Sequence, residues 1–151
     1  MVFHSHMDRA LDAARAAAQR GEVPVGAVIS DPKGRIVAVD GNRVRELSDP
    51  TAHAEILVLR AACAKIGSER LPGYSLTVTL EPCAMCAAAI AASRIARLIY
   101  GAADPKSGGV AHGARIFTQS QCHHAPEVID GIASEEAAVL LRTFFQTKRA
   151  R

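Results

Sequence analysis

Apolar positions first recur at helical spacing: Met7, Leu11, Ala14 and Ala18 share one face, with Arg9, Asp12 and Arg15 turned away from it. Ser5 and Asp8 ahead of this helix have the form of a capping box with Asp in place of Glu or Gln, and Gly21 stands where a C-cap glycine ends a helix. Residues 23–29 then run apolar as a buried strand, with Gly26 marking a place where another backbone or a ligand comes close. Asp31-Pro32-Lys33-Gly34 is a turn, and 36–39 is the returning strand of a hairpin. A polar loop over 41–50 leads into a helix from about 52 to 66, closed by Gly67.

Residues 76–80 alternate threonine with apolar side chains and read as a strand. Pro82 is expected in the first turn of an alanine-rich helix over 83–93, where proline is favoured. A strand over 97–101 follows, then a glycine-rich loop over 104–113, a short strand over 127–129 and a last helix from Ser134 through Val139, Leu140, Phe144 and Phe145 to the basic Lys148, Arg149 and Arg151. Strands alternating with helices predict an α/β fold, a three-layer α/β/α sandwich with a mixed five-stranded sheet. The strand–helix–strand run over 76–100 should cross over right-handed and parallel.

At 151 residues the chain reads as one domain, 1–151, able to bury a core without disulfides. A net charge of +3 does not announce a nucleic-acid binder; it is compatible with RNA and equally with small-molecule substrates. The first seven residues lack the marks of a signal peptide, and no apolar run is long enough to span a membrane. Four cysteines, two of them in C-x-x-C, fit a reducing cytoplasm better than a secreted disulfide scaffold.

The chemistry concentrates in Cys83, Cys86, His53 and Glu55. Thiols at i and i+3 of a helix start lie on one face, and two thiolates with one imidazole suit a single zinc ion. Three protein ligands leave the fourth position open, as catalytic sites do. His53 and Glu55, two apart, would point about 200° from each other in mid-helix, so they converge only if the metal sits over a helix end. Two helix N-termini meeting at one ion is therefore the expected geometry. Cys63 lies about 15 Å further along the same helix, which makes it a core cysteine and not a ligand. Cys122, His123 and His124 offer a conceivable fourth ligand for a closed structural site, and a redox C-x-x-C is the other alternative. His4, His6 and His112 read as solvated.

H-x-E followed by P-C-x-x-C is the pattern of zinc nucleobase deaminases. The chain resembles the bacterial tRNA adenosine deaminases of the cytidine deaminase-like superfamily. Shared blocks include 23–28, Gly41-Asn42-Arg43, 49–55, 79–86, Tyr100-Gly101-Ala102, Asp104-Pro105-Lys106, and Phe144-Phe145 followed by Lys148-Arg149. The zinc motifs are common to cytosine, guanine and cytidylate deaminases. The Asp104–Lys106 loop and the Phe-Phe-basic tail are more particular to the tRNA enzymes.

The resemblance implies a cytoplasmic homodimer with one Zn2+ per subunit and no organic cofactor. It would deaminate the wobble adenosine of an arginine tRNA with a zinc-activated water, Glu55 being the proton shuttle. Asn42 would then bond the target nucleoside and the Ala54 amide would touch the base. Asp104 and Lys106 would meet flanking ribose and phosphate, and Phe144 and Phe145 would border the anticodon-loop bases. Asn42 also reads as a plain turn residue, and the phenylalanines as core. A free-base deaminase acting on guanine or cytosine, or a catalytically silent zinc-stabilised RNA-binding subunit, are the other readings.

Overall fold

The structure, a computed structural model, describes residues 5–149, and of Arg149 only the backbone. His4, Arg151 and the Arg149 side chain thus lie outside the described residues. Helix α1 (Met7–Gln19) precedes the hairpin β1 (Gly26–Ser30) and β2 (Ile36–Gly41). Then come α2 (Ala54–Ile66), β3 (Ser75–Leu80), α3 (Ala84–Ala92), β4 (Arg97–Ala102), a 3-10 turn (Ile116–Thr118), β5 (Glu127–Ile129) and α4 (Ser134–Arg149). The five strands form one sheet in the order β2-β1-β3-β4-β5. β1 is antiparallel to both β2 and β3, while β3, β4 and β5 run parallel. The sheet is mixed, as the alternation of elements predicted.

β1 is buried along its whole length and β2 is only half-buried, as befits a second strand inside the sheet and an edge strand. One apolar layer joins Met7, Leu11 and Ala137 of α1 and α4 to Val28 and Ile99. The other joins Val58, Leu59 and Ile90 of α2 and α3 to Ile29, Leu76 and Leu98. Alternate residues of each strand serve opposite layers, the period-two rule that makes a three-layer sandwich. Gly26 permits the close seat of α1 on β1: a Cβ there would run into the Ala10 carbonyl and lie 2.6 Å from the Ala14 nitrogen.

Several boundaries differ from the sequence expectation. The capping box does not form. His6, in left-handed conformation, is the N-cap residue of α1, and Ser5 accepts the Met7 N–H at 3.2 Å. His6 is also not merely solvated, since its Nε2 donates to the Gly34 carbonyl at 2.8 Å. Residues 23–25 lie outside β1, where Pro24 has no N–H to give and the Val25 N–H turns back to the Val23 carbonyl. Pro82 precedes the helix instead of entering its first turn, because Cys83 is the N-cap residue of α3.

Candidate active site

α2 and α3 begin side by side, and the residues that open them face each other. His53 caps α2 and Cys83 caps α3, both with extended backbone and neither side chain making an N-cap hydrogen bond. That leaves both side chains free to project beyond the helix ends, with Cys86 one turn into α3. His53 Nδ1 lies 3.6 Å from Cys83 Sγ and 3.4 Å from Cys86 Sγ, and all three donor atoms fall within 4.8 Å of one another. A tetrahedral zinc with ordinary Zn–S and Zn–N bonds spaces such atoms about 3.5 Å apart, so the donor set and its spacing fit that ion. Among the described residues no fourth histidine, cysteine or carboxylate joins the group. Cys122 Sγ instead donates to the His124 carbonyl at 3.1 Å, and His124 Nε2 to the Ile95 carbonyl at 2.7 Å. Cys63 is partly buried against the core, and burial raises its thiol pKa.

The three donors share protons unevenly. The Cys86 thiol donates to Cys83, which, together with His53, brings Cys83 down to about 4 despite partial burial. Cys86 is pushed up by the Cys83 thiolate, by burial and by Glu55. His53 is raised, chiefly by its bond to Cys83. A bound cation would draw both thiols to thiolate and release these protons. Glu55, in the first turn of α2, is 4% exposed. Burial pushes its carboxyl up to about 7 against the pull of its own backbone N–H and of His53. A carboxyl held there can both accept and return a proton near neutral pH.

Beside the cluster opens a cavity of about 560 Å³, within the range of small-ligand sites. His53, Glu55, Cys83 and Asn42 line it, and so do Asp104, Phe144 and Phe145. The two phenyl rings meet edge to face at 5.4 Å, so they form one aromatic wall and not a piece of the core. Lys106 is exposed on the adjacent loop and does not line the cavity. Ala54, whose amide was expected to touch the base, has its N–H taken by Asn42 Oδ1 at 2.8 Å. Asn42 thus caps the start of α2 while facing the cavity. Asp104 Oδ1 accepts the Ser107 N–H at 3.0 Å and so shapes its own turn.

Sequence reasoning missed two buried carboxylates. Glu81, at the end of β3, accepts the Asp104 N–H on one oxygen and the Val110, Ala111 and His112 N–H groups on the other. His112 Nδ1 adds a bond at 2.8 Å, so this histidine is a loop anchor and not a solvated residue. Burial opposes the charge of Glu81, but the gathered donors win and hold its carboxyl below the usual range. Glu22 is 3% exposed and binds the Arg45 and Glu46 N–H groups. The one local signal was that Glu81 is a lone charge between the apolar end of β3 and the uncharged 82–92.

The family model for the cytidine and deoxycytidylate deaminase zinc-binding region matches residues 3–102. A protein of Agrobacterium fabrum (strain C58) named tRNA-specific adenosine deaminase is 59% identical over 150 residues, covering 99% of this chain and 98% of that one. A solved structure from a study of A-to-I editing by tRNA:A34 deaminases at the wobble position superposes with a TM-score of 0.88. It is 58% identical and covers 89% of this chain and 97% of its own. A guanine deaminase from Nitrosomonas europaea superposes with a TM-score of 0.79 at 25% identity, covering 92% and 82%.

Proposed function

The chain belongs to the cytidine and deoxycytidylate deaminase zinc-binding family and, within it, to the tRNA-specific adenosine deaminases, and from that premise we propose how its own residues carry the activity. It is a zinc-dependent hydrolase that converts adenosine to inosine at the wobble position of tRNA. The observation that carries this reading is the three-donor cluster of His53, Cys83 and Cys86 with a buried Glu55 at the same cavity. Zinc held by that cluster would acidify water to near neutrality and so make hydroxide available beside the base.

Glu55 takes the proton from the attacking water and delivers it to N1 of adenine as the C6–O bond forms. It then protonates the exocyclic amine, the C6–N bond breaks, and ammonia leaves. Each proton Glu55 gives to the base comes from that one water, so the net change is water in and ammonia out. Asn42 orients the nucleoside through its carboxamide, and Phe144 and Phe145 border the neighbouring bases, since splayed single-stranded bases are read by stacking on aromatic faces. Asp104 and Lys106 meet the flanking ribose and phosphate.

We assign the substrate to the anticodon loop of an arginine tRNA and the enzyme to the cytoplasm, as a homodimer. No helix among the described residues is long and apolar enough to cross a membrane. The dimer reading rests on α3, whose sequence AMCAAAIAA contains no charged side chain although Ala84, Met85, Ala88 and Ala92 are exposed. A catalytically silent subunit has no use for a buried carboxyl beside an open three-donor cluster. The deciding assay gives the zinc-loaded protein an anticodon stem-loop and free guanine and cytosine side by side, with sequencing to detect inosine read as guanosine. Turnover of a free base with none of the stem-loop would sink the tRNA reading.

A further inference from the structure

Two basic side chains, Arg45 and Lys148, line the cavity, while Arg20 and Arg43, which flank its lining residues in sequence, are already spent. Arg20 binds the Asn42 carbonyl at 3.1 Å and the Glu46 carboxylate at 3.6 Å. Arg43 binds Asp40 and, through Nη1, both oxygens of Glu46. Arg45 is exposed and lines the cavity, and its guanidinium makes no hydrogen bond or ion pair among the described residues. Lys148 lines the same cavity with its ammonium 5.4 Å from the centre of the Phe144 ring and, among the described residues, no carboxylate partner. Asp104, one of the carboxylates lining the cavity, is turned to the Ser107 amide of its own loop.

The backbone beneath Arg45 is held, not loose. Glu22 puts one oxygen on the Arg45 N–H at 3.1 Å and the other on the Glu46 N–H at 2.9 Å. Two successive amides on one buried carboxylate fix the orientation of that peptide, and with it the direction in which the Arg45 side chain leaves the chain. Among the described residues Glu22 has no cation of its own in return, so its burial is compensated by those amides.

We infer that Arg45 and Lys148 are a phosphodiester-binding rim, one cation from the loop after β2 and one from α4, and that Glu22 is the positioning residue that aims Arg45. Guanidinium and ammonium groups without acidic partners match the anionic oxygens that flank a base entering the cavity. The inference rests on the tRNA reading, because only a polynucleotide carries phosphates on both sides of the target base.

The test measures the Kd of a labelled anticodon stem-loop against salt for the zinc-loaded wild type, Arg45→Ala, Arg45→Lys, Lys148→Ala, Glu22→Gln and the Glu22→Gln/Arg45→Ala double variant. Each phosphate contact to a single strand contributes about 0.7 to the slope of log Kd against log salt. Arg45→Ala and Lys148→Ala should each lower that slope by about this amount and weaken binding roughly three- to tenfold near 0.1 M salt. Arg45→Lys should keep the slope, because it keeps the charge. Glu22→Gln should lose affinity as Arg45→Ala does, and the double variant should lose little more, the mark of residues acting through one another. Unchanged slopes in both alanine variants of an active enzyme overturn the rim. Additive losses in the double variant overturn the role of Glu22. A wild type that does not deaminate the stem-loop overturns the tRNA reading, and this inference with it.

Discussion

Glu55 and Asn42 each do two things at once, and single substitutions separate them. Glu55 sits in the first turn of α2 beside His53, yet it is not one of the three clustered donors. Glu55→Ala should therefore retain one zinc per chain while kcat falls by about 10²- to 10⁴-fold, the span of general acid–base catalysis. Metal analysis and a single-turnover assay check both halves, and a fully active variant would remove Glu55 from the proton path. Cys83→Ala or Cys86→Ala should instead lose the metal. Asn42→Ala removes the acceptor of the Ala54 N–H, so α2 loses the cap that His53 does not supply. That costs about 1 kcal/mol, read as a lower Tm, and KM for the stem-loop should rise as well, because the same carboxamide faces the cavity. A loss of stability with no change in KM would leave Asn42 as a cap alone.

Elements were legible where local chemistry sets them, and obscure where distant partners do. The end of α1 at Gly21, the turn at 31–34 and the glycine closing α2 are all written in adjacent residues, and each lies where it was read, while β1 itself starts three residues later than its apolar run. His53, Cys83 and Cys86 could be placed because ligand spacing on a helix start is a local rule. Glu81 and Glu22 could not, because their partner amides lie 23 or more residues away in sequence and no periodicity announces a carboxylate that collects backbone N–H groups. His112 was misread for the same reason.

The β1–β2 turn shows how such local chemistry carries a pH dependence. Asp31 accepts the N–H groups of Lys33 and Arg35 at 2.9 Å and the Arg35 Nε at 3.1 Å. The Arg35 N–H is the largest of the contributions that hold its pKa below the usual aspartate value. A carboxyl depressed on folding stabilises the fold above the unfolded-state pKa, and that stability is lost as pH falls through the lower folded value. Asp31→Asn should thus melt below the wild type at neutral pH, with the gap closing as pH drops past the ordinary aspartate range. Thermal melts at a series of pH values read this directly, and a gap that widens in acid would contradict it.

At the scale of the whole molecule, the metal cluster and the apolar face belong to one helix. α3 begins at Cys83, carries Cys86 in its first turn, and shows Ala84, Met85, Ala88 and Ala92 to the outside. Small side chains let two backbones approach closely, and nothing polar on this helix would be stranded by burial. A charge there is costly only if a second copy covers it, so Ala88→Glu should convert the protein from twice the 15.9 kDa chain mass to a monomer in sedimentation. If that face is the dimer interface, it should also sense the metal. Stripping zinc leaves Cys83 and Cys86 tied to α2 by weak sulfur contacts with His53 and by the Cys86 bond to Glu55, so the start of α3 is less firmly anchored. Chelation should then lower Tm and shift the dimer toward monomer, and added zinc should reverse both. A wild type that sediments as a monomer with zinc bound would refute the dimer; a dimer indifferent to chelation would refute only its coupling to the metal.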